Sequence, residues 1–416
     1  MKDQQTYDRN YSLAISLVLF LCLTIPRLAG PALLLLGVWV LLGGLKGYLK
    51  FRWSFGLFTM VLLYSAYVVA SFFTHHPDLA TEGLVQKLSL VVIPILFSFP
   101  LKTRKIRYQW IVSSLILSVL ILSFYGIIHG VFAYFDGMGW RGFTTVNMSP
   151  LHHPTYFMCF WILALVGAYV GWKREWQYFS MKWIVPFALF GLGLHVLSLS
   201  LAGILYLLVV LAFLVLYEIG KRWGWKASLG LLVPAVLAGY LIINYVPIVR
   251  GQWQNAKSYA EVYAQDPDGF VRNTNPWTGS EERLLLWIVS TEILVENPMG
   301  LGAKNYDDAI YNRLKYYGQD RLAEKHFNPH NQYLTTGIEI GVIGIFVFVF
   351  MLVYGFIHGL RKKHWLLVVS SSSLAFHCLF EAMLERQSGI VFYCLVLGIC
   401  FVYPLERTPQ NSTDDK

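Results

Sequence analysis

The sequence predicts an all-α, polytopic membrane protein with about twelve transmembrane helices and one large, partly helical loop outside the membrane. Of the 416 residues, 56% are hydrophobic and only 14% are charged, whereas about a quarter of the residues of a soluble domain are charged. The apolar residues form runs long enough to cross a hydrocarbon core of about 30 Å. One long polar stretch, residues 249–332, interrupts them. The chain is therefore expected to fold in lipid, with a loop large enough to hold a site.

Twelve apolar segments are each long enough to cross the membrane as a helix, at about 1.5 Å per residue. They lie near residues 12–28, 31–49, 54–73, 84–100, 109–134, 155–172, 180–198, 201–218, 228–248, 333–358, 364–383 and 388–405. They divide the chain into a membrane region of nine helices (1–248), the polar loop (249–332), a membrane region of three helices (333–405) and a polar cytoplasmic tail (406–416). The lipid bilayer is thus a predicted partner.

Positive charge predicts how the helices are oriented. With a cytoplasmic N-terminus, the short outer loops carry only Arg27, Arg141 and Arg386. The short inner loops and their flanks carry sixteen cations: Lys46, Lys50, Arg52, Lys102, Arg104, Lys105, Arg107, Lys173, Arg174, Lys182, Lys221, Arg222, Lys226, Arg361, Lys362 and Lys363. Because short cytoplasmic loops hold an excess of lysine and arginine, both termini are predicted in the cytoplasm and the large loop in the periplasm, in a bacterial inner membrane.

The remaining composition excludes several classes of function. The formal net charge of +9 would suit nucleic acid in a soluble protein, but these cations lie in short loops that set topology, so no nucleic-acid partner is predicted. The five cysteines lie in apolar segments without metal-ligand spacing, which indicates buried thiols. The sequence has no Walker loop, GxGxxG, HExxH or GxSxG motif. No metal and no cofactor are therefore predicted.

The large loop combines helical signals with a concentration of cations. Thr278 and Glu281 match a T-x-x-E capping box before an apolar stripe, and a second helix is predicted over Tyr306–Lys325. The loop cations are Arg250, Lys257, Arg272, Arg283, Lys304, Arg313, Lys315, Arg321 and Lys325. Mixed with tyrosine and tryptophan, they predict a site for an amphiphile with a phosphate-bearing head. The alternative is solvated surface charge, since long loops escape the positive-inside rule.

Histidines also gather on the predicted outer face. Six of the eleven lie in predicted outer loops: His75, His76, His152, His153, His326 and His330. Imidazole titrates near neutral pH, so this distribution favours acid–base chemistry at the outer face. The alternative is aromatic packing at the membrane interface.

Several motifs surround these histidines. The segment His330-Asn331-Gln332-Tyr333-Leu334 is followed by Glu339-Ile340-Gly341 and Gly344, and it is preceded by Arg283-x-x-x-Trp287 and Pro298-Met299-Gly300-Leu301-Gly302. His153-Pro154-Thr155-Tyr156 enters the sixth predicted span, and Glu381-x-x-Leu384-Glu385-Arg386-Gln387 leaves the eleventh. With the twelve spans, these motifs resemble the O-antigen ligase and O-antigen polymerase family. One position departs from it: Leu201 stands where many relatives carry an arginine.

The resemblance implies a metal-independent, inverting glycosyltransferase that moves a glycan from a polyprenyl-diphosphate carrier to an acceptor hydroxyl of lipid A–core. It implies His330 as the base for that hydroxyl and Arg283 as the cation that holds the diphosphate. The other implied substrate-site residues are Asn331, Tyr333, Trp287, Lys304, Arg313, Arg386, His153, Tyr156, Glu339 and Glu381. The carboxylates of Glu339 and Glu381 are expected to be paired with cations, because unpaired charge near the outer leaflet is costly.

Other functions remain open. A polymerase would use the same donor with a lipid-linked glycan as acceptor, and the motifs barely separate it from the ligase, which is the interpretation we favour. Another branch of the family glycosylates protein, and a compact chain without an added soluble domain argues against that branch. From a different class, a polysaccharide transporter or flippase would show ionisable residues near the membrane midplane and two related halves. Lys87 is the nearest midplane candidate, whereas polarity is concentrated in one outer loop, which favours the enzyme.

Overall fold

The computed structural model describes residues 2–74, 76–230, 237, 240, 244–245, 247–276 and 278–405. Within these ranges the regular secondary structure is helical, apart from an isolated antiparallel bridge between Leu49 and Leu101. The helices before the large loop are α1 (Lys2–Thr24), α2 (Ala29–Leu45), α3 (Phe55–Ser71), α4 (Pro77–Gln86), α5 (Ser89–Phe97), α6 (Tyr108–Ala133), α7 (Pro154–Lys173), α8 (Met181–Ser198), α9 (Leu201–Trp223) and α10 (Trp225–Gly230). Those of the loop and beyond are α11 (Pro247–Gln265), α12 (Pro267–Asn273), α13 (Gly279–Glu296), α14 (Tyr306–Tyr316), α15 (Asp320–Ala323), α16 (Gln332–Arg361), α17 (Trp365–His377) and α18 (Gln387–Val402).

Among the described residues, seven helical segments are long and apolar enough to cross a membrane. They are Pro26–Leu45, Pro77–Phe97, Tyr108–Phe143, Pro154–Lys173, Met181–Ser198, Ala202–Trp223 and Gln332–Arg361. Three shorter apolar helices, α3, α17 and α18, accompany them. The predicted fold class, an all-α polytopic membrane protein, is therefore confirmed. The predicted ninth span, 228–248, lies mostly outside the described residues, and the predicted tail, 406–416, lies wholly outside them.

Two helices are buried at the centre of the bundle. Most side chains of α7 and α18 are apolar and buried around the whole helix, as expected where other helices surround them. The indole of Trp161 in α7 stacks on Phe187 of α8 at a centroid distance of 4.4 Å and donates a hydrogen bond to Ser123 of α6 at 3.1 Å. Because His153 caps α7 and Arg386 precedes α18, this core fixes the position of both helix starts.

The large loop folds into helices that share a second apolar core. The predicted capping box opens α13, since Glu281 N donates to Thr278 Oγ1 at 3.3 Å and Thr278 N to Glu281 Oε2 at 3.0 Å. The core residues are Phe270, Val271, Leu285, Leu286, Val289, Ile310, Leu314 and Leu322, with Ile338 from α16. The second predicted helix, over Tyr306–Lys325, ends instead at Tyr316, because Gly318 at φ +75° turns the chain into α15.

A break in α16 joins the loop to the membrane helices. Ile340 and Gly341 leave the helical conformation, and Gly341 adopts φ +74°. Three backbone hydrogen bonds of 2.8, 2.9 and 3.0 Å join the loop segment Pro298–Gly302 to residues 338–342, so the groups that the break releases are satisfied by protein. A Cβ on Gly341 would lie 2.5 Å from the carbonyl oxygen of Pro298. The Pro298–Gly302 motif and the motif around Gly341 therefore pack against each other, and this contact holds the end of the loop against α16.

Candidate active site

His330 lies at the junction between the loop and α16. Two hydrogen bonds fix the chain that leads to it: the Trp287 indole donates to Pro329 O at 2.8 Å, and His330 N donates to Asn328 Oδ1 at 2.8 Å. His330 adopts φ +49°, a left-handed conformation that is uncommon outside glycine and that clusters at active sites. Its side chain is 20% exposed. The imidazole is thus both anchored and reachable.

The next residues build the start of α16. Asn331 Oδ1 accepts from Tyr333 N at 2.9 Å and from Leu334 N at 3.1 Å, which makes Asn331 the N-cap of the helix. Its amide also donates to Leu379 O at 3.3 Å, and the Tyr333 hydroxyl donates to Ala375 O at 2.8 Å. Both side chains therefore hold α16 against the end of α17, next to His330.

A buried carboxylate brings two histidines together. Glu381 Oε2 lies 3.4 Å from His330 Nδ1 and 3.8 Å from His153 Nδ1, and the Glu381 side chain is only 3% exposed. Burial alone would raise the pKa of Glu381, but the hydrogen bond with His330 and the electrostatic effects of His330, His153 and Arg283 hold it below its usual value. Glu381 is therefore ionised at neutral pH and accepts hydrogen from Nδ1, which leaves His330 Nε2 as the nitrogen that can take a proton.

His153 and Tyr156 support the same carboxylate from α7. His153 caps the helix, and burial together with the electrostatic effects of Arg386, Arg283 and His330 lowers its pKa despite the opposing effect of Glu381. Tyr156 is fully buried, and its hydroxyl donates to Ala382 O at 3.0 Å. Tyr156 thus positions the chain that carries Glu381 and does not face the surface.

The predicted cations fall into two groups. Neither the half-buried Arg283 nor the exposed Arg386 forms an ion pair with a residue that the structure describes, and the charges of both act on His153. Lys304 pairs with Glu82. Arg313 instead binds Glu292 at 3.1 Å and also pairs with Glu296. These glutamates lie roughly 14 and 20 Å along α13 from Arg283, at about 1.5 Å per residue. Arg283 and Arg386 share the His330 site, and Arg313 lies apart from it.

A buried ion cluster lies at the base of the site. Lys87 Nζ is 3.1 Å from Glu339 and 2.9 Å from Glu385, and all three side chains are at most 2% exposed. Gln332 Nε2 donates to Glu385 at 3.2 Å, and Lys304 N donates to Glu339 at 2.5 Å. The expectation that Glu339 is paired with a cation is confirmed. The sequence analysis did not predict the role of Glu385 or the partners of Lys87. A lysine inside an apolar segment nevertheless indicated that a buried carboxylate would pair with it.

The start of α9 lies beside the start of α7. Leu199 at φ +51° ends α8, and Ser200 caps α9 by accepting from Gly203 N at 3.3 Å. Ser200 Oγ is also 3.5 Å from Thr155 Oγ1, two residues after His153. The backbone at Leu201, where many relatives carry an arginine, is therefore adjacent to the segment that carries His153. Over the described ranges, no three His, Cys, Asp or Glu side chains form a group that could hold a metal ion.

The family comparison covers the loop and most of α16. The sequence model described as O-antigen ligase matches residues 186–349, less than half of the chain. The matched segment includes Arg283, the Pro298–Gly302 turn and His330, whereas His153 and Glu381 lie outside it. No curated protein matches the chain. Residues 186–349 therefore match an O-antigen ligase domain, and this match supports a membrane protein with a function of the O-antigen ligase or polymerase type.

Proposed function

We propose that this protein transfers a glycan from a polyprenyl-diphosphate carrier to a hydroxyl of lipid A–core, as a metal-independent, inverting glycosyltransferase. The observation that carries the proposal is the convergence of His330 and His153 on the buried carboxylate of Glu381. Arg283 and Arg386 lie beside it without an ion-pair partner among the described residues. A base held by a carboxylate and a pair of available cations are the two requirements of this reaction.

His330 acts as the general base in the proposed reaction. The acceptor hydroxyl oxygen attacks C1 of the donor sugar from the side opposite the diphosphate, and its proton passes to His330 Nε2. The bond between C1 and the diphosphate oxygen breaks, and the diphosphate leaves with the bonding electrons. Attack on the opposite side inverts the configuration at C1. Glu381 holds the ring by Nδ1 and stabilises the imidazolium that forms, as a carboxylate does beside a catalytic histidine.

Arg283 and Arg386 bind the leaving diphosphate. A guanidinium group can bind two phosphate oxygens at once. Of the four predicted substrate-site cations, Lys304 and Arg313 pair with carboxylates, whereas Arg283 and Arg386 have no ion-pair partner in the described part of the chain. Arg386 takes over the role of the family arginine that Leu201 replaces. The contact between Ser200 and Thr155, at 3.5 Å, supports this role. It places the start of α9, where Leu201 lies, beside the start of α7, where the charge of Arg386 acts on His153.

The remaining predicted substrate-site residues position the site. Trp287 holds Pro329, Asn331 caps α16 and Tyr333 ties α16 to α17, so that His330 keeps its orientation. The site faces the periplasm in this proposal, with both termini in the cytoplasm of the inner membrane. The excess of cations in the predicted inner loops supports this orientation.

Deleting the gene in its host tests the acceptor. Surface lipopolysaccharide separated on a gel is expected to show bare core, with long glycan accumulating on the polyprenyl carrier, because transfer to lipid A–core is lost. Core carrying one repeat unit would identify a polymerase on the same donor instead. A ladder unchanged by the deletion contradicts both. Re-expression of the wild-type chain controls for effects on neighbouring genes.

Arg283→Gln is expected to lower kcat/KM for the lipid-linked donor at least tenfold, because it removes a bidentate contact with the diphosphate. Arg313→Gln is the matched control: it removes the same charge from the same loop, at a position bound by Glu292 and Glu296. That control should keep the wild-type rate per folded molecule. Both variants are assayed as purified protein in nanodiscs. Equal rates for wild type and Arg283→Gln would exclude Arg283 from the diphosphate site.

A further inference from the structure

A basic cavity lies at the end of the bundle remote from His330. Its volume is about 760 Å³, and it is lined by the ends of α7, α9 and α16, the start of α17 and residues 402–405. Because α7 has 20 residues and starts at the His153 site, this cavity is about 30 Å from that site. The cations that line it are Arg104, Lys173, Arg174, Lys221, Lys362 and Lys363, against one carboxylate, that of Glu218.

The carboxylate does not neutralise this excess. Glu218 is bound by Lys173 at 2.8 Å and by the Tyr169 hydroxyl. The lysines Lys221, Lys362 and Lys363 form no ion pair with any residue in the described part of the chain. The positive-inside rule and the helix dipole explain cations at these helix ends. They do not explain why six cations surround one concave space.

An apolar cavity adjoins the basic one. It has a volume of about 300 Å³, lies between α7, α9 and α17, and is lined by side chains such as Val209, Phe213 and Val369. The two cavities share Tyr169, Tyr217 and Trp365. Tyrosine and tryptophan are the residues that favour the boundary between lipid tails and headgroups.

We propose that the two cavities together bind an anionic glycerophospholipid. The phosphate lies among the cations, one acyl chain enters the apolar cavity, and the shared aromatic side chains meet the glycerol. Charge complementarity selects an anion, since six cations face one carboxylate that already has partners. The adjoining apolar cavity selects a lipid over a free phosphate, because a free phosphate would leave it without a function. Basic pockets between membrane helices bind lipid headgroups in this way.

Native mass spectrometry of the detergent-solubilised full chain measures this binding. Phosphatidylglycerol should be retained at least tenfold more tightly than phosphatidylcholine with the same acyl chains. The variant Lys221→Ala/Lys362→Ala/Lys363→Ala should lose at least tenfold in phosphatidylglycerol affinity. The matched variant Lys50→Ala/Lys105→Ala/Lys182→Ala removes three exposed lysines outside the cavity and should bind as wild type. Equal retention of the two lipids, or equal loss in both variants, overturns the proposal.

A second variant separates a lipid from a free phosphate. Val209→Trp narrows the apolar cavity without changing the cations, and it should weaken binding of long-chain phosphatidylglycerol severalfold. Inorganic phosphate at millimolar concentration should not displace the lipid. Displacement by phosphate, with unchanged lipid affinity in Val209→Trp, would mean that the basic cavity binds free phosphate and that no lipid is specified. These lipid-binding measurements do not require glycan transfer, so their results test the lipid site independently of the proposed function.

Discussion

His330→Asn is expected to slow glycan transfer at least 100-fold while leaving the amount of folded protein unchanged. A positioned general base contributes roughly 10²–10⁴ in rate, and an asparagine amide cannot take the proton. Asparagine is chosen because it tolerates the left-handed conformation, at φ +49°, better than alanine does. The backbone before α16 therefore keeps its shape. The rate is measured with purified protein in nanodiscs, a polyprenyl-diphosphate glycan and lipid A–core.

His326→Asn is the matched control for this variant. His326 lies in the same loop, also adopts φ +49°, and its imidazole contacts Asp307 at 3.1 Å and not Glu381. Its replacement should leave the transfer rate at the wild-type value. If His330→Asn transferred glycan as fast as His326→Asn, His330 would not be the base, whichever acceptor the enzyme uses.

Local patterns predicted most helices because the signals for them lie within a few residues. The T-x-x-E capping box at Thr278 and Glu281 is one example, and the structure has both of its hydrogen bonds. The break in α16 could not be predicted in this way. Apart from Glu339, the residues on both sides of Gly341 are apolar, so a hydropathy plot shows one continuous helix there. The break exists because the distant segment Pro298–Gly302 supplies the hydrogen bonds.

Only the part of the site that lies in short sequence motifs could be predicted, because the rest depends on contacts between distant segments. His330 and Arg283 lie in short motifs that resemble those of the O-antigen ligase and polymerase family, and this resemblance made both residues predictable. The convergence of His330 and His153 on Glu381 joins three parts of the chain that are far apart in sequence. No single-segment pattern contains it. Lys87 shows the difference most clearly, since its charge was visible in an apolar segment whereas its partners, Glu339 and Glu385, lie about 250 and 300 residues later.

Lys87→Met is expected to lower the free energy of unfolding by about 3–5 kcal/mol, because it leaves the buried carboxylates of Glu339 and Glu385 without their counter-ion. It also removes a cation that lies 4.8 Å from the centre of the Tyr67 ring. Thermal unfolding of the purified protein in one detergent measures the effect. Lys102→Met, which replaces an exposed lysine, should unfold like wild type.

The triple variant Lys87→Met/Glu339→Gln/Glu385→Gln separates lost packing from unpaired charge. Neutralising all three groups removes the buried, unpaired carboxylates, so most of the lost stability should return. Glu339 also accepts from Lys304 N, and Glu385 from Gln332, at the base of the His330 site. A glutamine can still accept both hydrogen bonds through its carbonyl oxygen, and the triple variant should therefore keep the site assembled while Lys87→Met loses it. Equal stability of Lys87→Met and wild type would show that the cluster does not require a cation, and equal damage in the single and triple variants would assign the loss to packing.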